Sequence, residues 1–270
     1  MMLTTLQLSE PYGRVTYRES GQGFPLVLLH GVGMQSAAWY PQVEAFSALC
    51  QVIALDLPGH GGSDTLAGEP ALPDYVAWLH AVVTAMGLGP IHLVGHSMGA
   101  LISAGYTVSH PQRVASVALL NGVFRRSSAA RKAVVARAND IQRGCFDLET
   151  PLKRWFGDRP AEQKARGKVS DWLSSVNTKG YADAYAAFAA GDEKYADQFS
   201  QIRCPLLALT GALDPNSTSE MAEAMADIAP QGHAVIIEGE RHMVNLTAPE
   251  KVNAILKDWL RTPAAERGTA

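Results

Sequence analysis

The stretch I-H-L-V-G-H-S-M-G-A-L-I-S-A-G-Y, from Ile91 to Tyr106, decides the fold that the sequence predicts. A short apolar run ends at Gly95, and small and apolar residues at helical spacing follow Ser97. A strand that turns so quickly into a helix must bend sharply, and Gly95 and Gly99 relieve crowding at the bend because they carry no side chain. The pattern G-x-S-x-G in this setting is a nucleophile elbow, which exposes the serine hydroxyl at the end of the sheet. Ser97 is therefore the predicted nucleophile.

Strands and helices alternate on both sides of this stretch. Continuous apolar runs predict strands that are buried on both faces, and they lie at 26–29, 52–55, 114–120, 206–210 and 234–237. Helical patterns separate the runs, and an alternating segment, Val15 to Glu19, predicts one half-buried strand before them. Strands that alternate with helices favour a mostly parallel, doubly wound sheet. The predicted fold class is α/β.

The alternation stops after Asn121 and resumes with the strand at 206–210. Between about 127 and 200 the sequence is helix-like and has no long β-branched run. We therefore predict a core of residues 1–122 and 201–270 and an inserted helical cap of residues 123–200, with a frayed tail at Thr262 to Ala270.

The cap segment, residues 123–200, differs from the rest of the chain in charge. It holds 14 Lys and Arg against 10 Asp and Glu, whereas the remainder holds 9 against 16. This excess is either a solvated face or a basic cover over a site for an anionic small molecule. The signs are too mixed for a nucleic-acid surface.

Composition excludes several other classes of protein. The 270 residues are 47% hydrophobic and 18% charged, as in ordinary globular proteins, and no run reaches the length of a membrane span. Met1 to Tyr12 has no apolar core of signal-peptide length. The cysteines Cys50, Cys145 and Cys204 are odd in number and widely separated, which argues against disulfides or a zinc site. A cytoplasmic enzyme without metal or cofactor is predicted, as a monomer or a homodimer.

A serine nucleophile needs a base and a carboxylate that orients the base. In such sheets, ligands bind beyond the carboxyl ends of the strands, so both groups should follow strands. His242 lies in a polar loop directly after the last strand, while the other seven histidines fall on helices, on strands or beside backbone features. Asp214 follows the strand at 206–210 and is the predicted carboxylate. Asp56 is the alternative candidate, but it is better placed to fix a turn.

Acyl transfer also needs hydrogen-bond donors where the oxyanion forms. The backbone N–H of Met98, next to the nucleophile, is the first predicted donor. The second is the N–H of Val32, in the loop after the strand that ends at Leu29, where His30-Gly31 allows a close approach.

These motifs together resemble the α/β-hydrolase superfamily across essentially the whole chain. The matching residues are H-G-V-G-M with Trp39 downstream, D-L-P-G-H-G-G-S-D, G-H-S-M-G, T-G-A-L-D and E-R-H-M. The cap is similar to that of the 3-oxoadipate enol-lactonase group of aromatic catabolism, through Asn121 with Arg125, Arg154-Trp155-Phe156 and Gly180-Tyr181-Ala182. The His30-Gly31 pair departs from that group and leaves open another ester, amide or lactone.

The resemblance implies a serine hydrolase with a small, carboxylate-bearing substrate. It implies that Arg125 holds the substrate carboxylate, for which a planar guanidinium is suited, and that Trp155 lines the pocket. Two alternatives share the same triad: a hydrolase that cleaves a carbon–carbon bond of a ring-cleavage diketone, and a non-catalytic ligand receptor. Dehalogenases and epoxide hydrolases of this architecture carry an aspartate where Ser97 stands.

Overall fold

The computed structural model describes residues 2–261, and the predicted tail, Thr262 to Ala270, lies outside them. Within the described residues, eight strands form one sheet. They are β1 (Met2–Gln7), β2 (Arg14–Ser20), β3 (Pro25–Leu29), β4 (Gln51–Leu55), β5 (Ile91–His96), β6 (Val114–Leu120), β7 (Leu206–Gly211) and β8 (Gly232–Ile237).

The sheet is parallel apart from one edge. Its strand order is β1-β2-β4-β3-β5-β6-β7-β8, and only the β1–β2 and β2–β4 pairs among these strands are antiparallel. β3 and β5 are neighbours in the middle, where Leu29 pairs in register with Gly95. The predicted mostly parallel, doubly wound sheet is confirmed.

Helices cover both faces of the sheet. They are α1 (Tyr40–Phe46), α2 (Leu72–Ala85), α3 (Met98–Ser109), α4 (Ser128–Gln142), α5 (Glu149–Trp155), α6 (Pro160–Ser175), α7 (Thr178–Gly191), α8 (Ser219–Ile228), α9 (Val244–Thr247) and α10 (Pro249–Arg261). Side chains alternate between the faces of a strand. In β3, Leu26 and Leu28 accordingly join the core under α1 and α10, while Val27 and Leu29 join the core under α2, α3 and α8.

The segment between β6 and β7 contains helices α4 to α7 and a short 3-10 helix at Ala196–Gln201. Its side chains join the core on the side of α2 and α3, through residues such as Leu152, Val169 and Tyr181. The division of the chain into a core and a cap at residues 122/123 and 200/201 stays a prediction.

Two local features differ from the sequence prediction. β1 was not predicted, because this edge strand alternates between exposed and half-buried residues and has no buried apolar run. One of the helical patterns between the predicted strands extends from Trp39 to Leu49, but the α-helix is shorter, since a 3-10 turn at Ser36–Trp39 precedes α1, which ends at Phe46. No helix among residues 2–261 has both the length and the apolar character needed to cross a bilayer.

The turn between β5 and α3 is held by close backbone contacts. Ser97 has φ 55° and ψ −111°, which lies outside the regions that side-chain-bearing residues favour. A Cβ at Gly95 would overlap the Gly99 carbonyl, and a Cβ at Gly99 would overlap the carbonyl of Leu29. Glycine is therefore required at both positions by space, not by backbone conformation.

Gly99→Ala is expected to destabilise the fold by about 3 kcal/mol or more, because the new methyl group would meet the backbone of a central strand that cannot move aside. Urea unfolding measures the change. Gly89→Ala is the matched control, since no atom lies within 4 Å of its added Cβ, and its effect should stay within about 0.5 kcal/mol. Equal effects at the two positions would contradict the close contact at the elbow.

Candidate active site

Three polar residues that the sequence places after separate strands lie together at the carboxyl edge of the sheet. Ser97 directly follows β5, Asp214 follows β7, and His242 follows β8. Ser97 and His242 both line a cavity of about 700 Å³ between the sheet edge and helices α4, α5 and α7. The structure thus brings together the three residues for which a triad was predicted, while their catalytic roles stay a prediction.

His242 and Asp214 form a short hydrogen bond. The distance between His242 Nδ1 and Asp214 Oδ2 is 2.7 Å, and both side chains are almost completely buried. A carboxylate only accepts, so the Nδ1–H of the imidazole donates, and Nε2 keeps its lone pair. This tautomer suits a base that takes a proton from a hydroxyl group.

Asp214 has two further donors. The Nδ2 amide of Asn121 donates to Oδ2 at 2.9 Å, and the backbone N–H of Asn216 donates to Oδ1 at 2.9 Å. Burial by itself raises the pKa of Asp214, but the imidazole of His242 and these two donors outweigh it, so the pKa lies below its ordinary value. Asp214 is therefore held as an anion beside His242.

Asn121 contacts Asp214, and the sequence alone did not predict this role. It follows β6 directly with φ 47°, a left-handed conformation that asparagine tolerates better than most residues. Its side chain also donates to Thr210 Oγ1 at 3.2 Å and to the Arg241 carbonyl at 3.3 Å. A polar residue directly after a buried strand was the signal that could have identified it.

The two predicted oxyanion donors lie on either side of Ser97. Val32 lines the cavity together with Ser97, and a Cβ at neighbouring Gly31 would stand only 3.1 Å from Ser97 Cβ. Met98 is the first residue of α3, where backbone N–H groups have no acceptor within the helix. The positions fit an oxyanion hole, and that role stays a prediction.

Three histidines around the site are buried and tie its loops together. His30 Nε2 accepts from the Leu57 N–H at 2.9 Å, and His60 Nε2 accepts from the Gly33 N–H at 2.9 Å. His96 Nε2 contacts the carbonyl oxygen of His242 at 2.8 Å, so His96 donates there. In His30 and His60 the second nitrogen, Nδ1, also meets a carbonyl oxygen, that of Gly31 and that of Pro58, so neither ring is available as a base for Ser97.

The same burial sets the charge of these rings. Because burial disfavours the imidazolium, the pKa of His30 falls to about 4, and the pKa values of His60 and His96 fall to about 3. All three are therefore neutral near pH 7 and act as hydrogen-bonding groups of the loops.

Asp56, the alternative to Asp214 as the carboxylate that orients the base, makes its hydrogen bonds elsewhere. It accepts the backbone N–H of Ser36 at 2.6 Å and that of Gly62 at 3.1 Å. Its carboxylate thereby closes the loop after β4, as expected for a residue that fixes a turn. The described residues contain no group of three His, Cys, Asp or Glu side chains suited to a metal ion.

Trp155 forms part of the cavity wall beside His242. The two rings are stacked, with centroids 5.5 Å apart and planes inclined by 25°. The lining also includes two carboxylates, Asp140 and Asp147. Trp155 thus lies where the resemblance placed it, and its contact with substrate stays a prediction.

Arg125 is not part of this cavity wall. Its φ of 44° turns the chain, and its guanidinium forms a 2.6 Å ion pair with the exposed Asp197. The arginines that do line the cavity are Arg126, Arg137 and Arg154. The geometry therefore gives no support to a carboxylate-binding role for Arg125.

Arg126, which the sequence reading missed, carries a buried and unsatisfied donor. Its side chain is 5% exposed, stands 3.0 Å from Asp192 Oδ1 and stacks on Phe188 with Cζ 4.4 Å from the ring centroid. Within residues 2–261, its Nη2 has no hydrogen-bond partner. An unpaired buried donor is costly, and Arg126 belongs to the cavity wall, so its guanidinium is the candidate there for an acceptor without a partner of its own.

Comparisons with known proteins agree with this architecture. A family model described as the alpha/beta hydrolase fold matches residues 25–249. The chain is 53% identical over 262 residues to "(E)-2-((N-methylformamido)methylene)succinate hydrolase" of Acinetobacter baylyi, covering 97% of this chain and 99% of that protein.

Two solved structures share the fold at lower identity. One is a thermophilic esterase from Thermogutta terrifontis with malate bound, at TM-score 0.86 and 24% identity over 100% of both chains. The other is the enol-lactonase from Burkholderia xenovorans, at TM-score 0.86 and 22% identity over 96% of this chain and 100% of that one. The expected resemblance to hydrolases of the enol-lactonase type is confirmed at the level of the fold.

The buried histidines predict a loss of stability in mild acid. Their pKa values lie below the ordinary 6.5 in the folded chain, so below about pH 6.5 the unfolded state binds more protons than the folded state. The free energy of unfolding should fall as the pH is lowered towards about 4, by at most about 1.4 kcal/mol per pH unit for each histidine. Urea unfolding at about pH 7, 6 and 5 measures the slope.

His60→Gln supplies the internal comparison, because it removes one titrating ring. The free energy of unfolding of this variant should depend less steeply on pH than that of the wild type, and the difference should equal the contribution of one histidine. This comparison holds whatever the stability of the variant near pH 7. A stability that does not change between about pH 7 and 5 would contradict the buried, neutral rings.

Proposed function

The chain belongs to the α/β-hydrolase family and is a hydrolase, and on this premise we propose that Ser97, His242 and Asp214 form a catalytic triad that cleaves an amide C–N bond in a small dicarboxylate. The observation that carries the proposal is the 2.7 Å bond from His242 to Asp214, in the same cavity as the strained Ser97. The substrate class comes from the relative with 53% identity, whose name describes a formamide nitrogen joined to a methylene succinate.

The first half of the proposed reaction forms an acyl-enzyme. His242 Nε2 takes the proton of the Ser97 hydroxyl as Oγ attacks the carbonyl carbon of the formamide. The backbone N–H groups of Val32 and Met98 would stabilise the oxyanion, and each such donor contributes about 3 kcal/mol in the transition state. Asp214 stabilises the imidazolium that forms and keeps its tautomer.

The second half releases two products. The C–N bond breaks, and the departing nitrogen takes the proton from the imidazolium of His242. A water molecule, deprotonated by His242, then attacks the acyl-enzyme, and the resulting acid leaves Ser97 with its proton restored. The cycle consumes one water and requires no redox step, metal or cofactor.

The cavity offers cations for the two carboxylates of such a substrate. The unpaired Nη2 of Arg126 is the strongest candidate, because its burial makes an ion pair with a substrate carboxylate stronger than it would be in water. Arg154 is exposed at the cavity wall, and its Nη1 lies 3.4 Å from Asn216 Oδ1. We propose that one carboxylate of the substrate binds Arg126 and that the other lies on the side of the cavity where Arg154 is.

The alternatives that the sequence left open are less well supported. Cleavage of a carbon–carbon bond has no counterpart in the name of the relative, which specifies a formamide. A receptor would not need a serine in a strained turn in the same cavity as the His242–Asp214 pair, since such strain costs about 1–3 kcal/mol without catalysis to justify it.

The location of the enzyme and its assembly also belong to the proposal. Cys50, Cys145 and Cys204, each within the described residues, are free thiols. Burial raises the pKa of Cys50 and of Cys204, which keeps both as thiols. We propose a reducing compartment such as the cytoplasm, with a monomer and a homodimer as the two candidate assemblies.

Ser97→Ala should reduce turnover of (E)-2-((N-methylformamido)methylene)succinate by about 10⁴-fold or more, because it removes the nucleophile that the His242–Asp214 pair would activate. The measurement is the release of formate by the purified variant, with circular dichroism to show that the fold is kept. Near-full activity of Ser97→Ala would exclude the proposed triad.

Arg126→Gln should raise KM for the dicarboxylate by about 10- to 100-fold, since it removes a charged hydrogen bond to the substrate. Arg125→Gln is the matched variant at the position first suggested by the resemblance, and its KM should stay within about twofold of the wild type. Unfolding of Arg126→Gln is measured alongside, because Asp192 loses one cation and keeps Arg131 and the backbone N–H of residue 126. A KM effect at Arg125 but not at Arg126 would reverse the assignment.

A further inference from the structure

A short part of the cap segment contacts the loop of His242 at two places. At its beginning, Trp155 stacks on the imidazole of His242. At its end, Arg159 reaches Glu240, two residues before His242, with Nη1 2.8 Å from Oε1 and Nη2 2.7 Å from Oε2. Such a bidentate pair fixes orientation as well as distance. Residues 155–159 therefore contact the loop both at the ring of His242 and at the carboxylate of Glu240.

Glu240 is a buried residue with several bonds. Its side chain is 2% exposed, and its Oε2 also accepts the Thr247 hydroxyl at 2.8 Å. Its backbone carbonyl accepts the N–H of Leu213 at 2.8 Å, which ties the loop of His242 to the loop of Asp214. A displacement of Glu240 would thus move both loops that bear the predicted acid and base.

Arg159 is itself held in place from the cap side. Its Nε donates to Glu162 Oε2 at 2.9 Å, and Glu162 is also buried, with 3% of its side chain exposed. One guanidinium thus serves two buried carboxylates, one on α6 and one on the loop of His242. Removing it would leave Glu240 with the Thr247 hydroxyl but without a cation, which is unfavourable for a buried charge.

We propose that Arg159 is a positioning residue of the active site, which through Glu240 sets the placement of His242 relative to Ser97 and couples it to the docking of the cap segment. The inference rests on the proposed triad, since it assigns His242 the role of base. It adds a residue that would touch neither the substrate nor the reacting atoms.

The charges around His242 determine how the loss of Arg159 would be detected. The titratable and charged groups around His242 within the described residues include Asp214 and His96 from the core, Arg154 and Arg159 from the cap segment, and Glu238, Glu240 and Arg241 on the loop itself. Without Arg159, the carboxylate of Glu240 loses its compensating charge. An uncompensated anion nearby favours the positively charged form of the imidazole, so the loss of Arg159 would be detected in the pH dependence of the site.

The experiment measures the rate at which a fluorophosphonate probe labels Ser97 between about pH 5 and 9. This probe reports the serine and its base without knowledge of the substrate. Arg159→Gln should lower the rate by about tenfold or more, because displaced catalytic groups lose alignment, and should move the acid limb of the profile to higher pH by roughly half a unit. Arg159→Gln with Glu240→Gln should return the acid limb to the wild-type position.

Two further variants complete the design. Arg159→Lys keeps the positive charge but not the planar guanidinium. Its labelling rate should therefore fall while the acid limb of its pH profile stays in place. This variant tests the proposal where Arg159→Gln does not fold. Arg166→Gln is the matched control, since Arg166 lies on α6, which begins directly after Arg159, and pairs with the exposed Glu149 of α5. Its rate should stay within about twofold of the wild type.

The inference is overturned by rates of Arg159→Gln and Arg159→Lys within about twofold of the wild type. It is also overturned if Arg159→Gln lowers both the labelling rate and the thermal stability without moving the acid limb of the pH profile, since Arg159 would then only stabilise the fold. A wild-type protein that the probe does not label would instead contradict the proposed triad.

Discussion

The close approach of α3 to the ends of β3 and β5 is the constraint on which the rest of the site depends. It leaves no space for a side chain at Gly95 or Gly99, and it holds Ser97 at φ 55°. Such a conformation costs about 1–3 kcal/mol and persists because well-packed surroundings impose it. Here those surroundings are a central strand buried on both faces. The same approach brings Gly31, in the loop after β3, against Ser97, so one packing contact places both the nucleophile and the loop that bears a predicted oxyanion donor.

A set of neutral polar groups converts this packing into a defined arrangement of loops. His60 holds the loop after β3, His96 holds the backbone of His242, and Asn121 holds Asp214. In a buried setting each such bond is strong, and each unmade bond is costly, so the loops have few alternative positions. The histidines can play this part because burial keeps them uncharged, which makes the stability of the site loops sensitive to acid.

The sequence predicts the centre of the fold better than its edges. Strands buried on both faces leave continuous apolar runs, and the residues after them, such as Ser97 and Asp214, can be assigned to one edge of the sheet from topology alone. β1 leaves no such run, because it is an exposed edge strand. The choice between Arg125 and Arg126 depends on a left-handed residue, Arg125, which turns one guanidinium outward and its neighbour inward. No periodicity in the sequence encodes that reversal.

The net positive charge of the cap segment overstates the positive charge that a substrate in the cavity would encounter. Most of its arginines are engaged by nearby carboxylates, and the exposed pairs among them include Arg125–Asp197, Arg131–Glu193, Arg143–Asp140 and Arg166–Glu149. Exposed pairs of this kind contribute little field at the distance of the cavity, since solvent and salt screen them. What an anionic substrate would meet is set instead by single atoms, above all the buried Nη2 of Arg126. Selectivity for a carboxylate would therefore depend on where individual guanidinium groups point, and a change of net charge elsewhere on the cap segment would leave it unaltered.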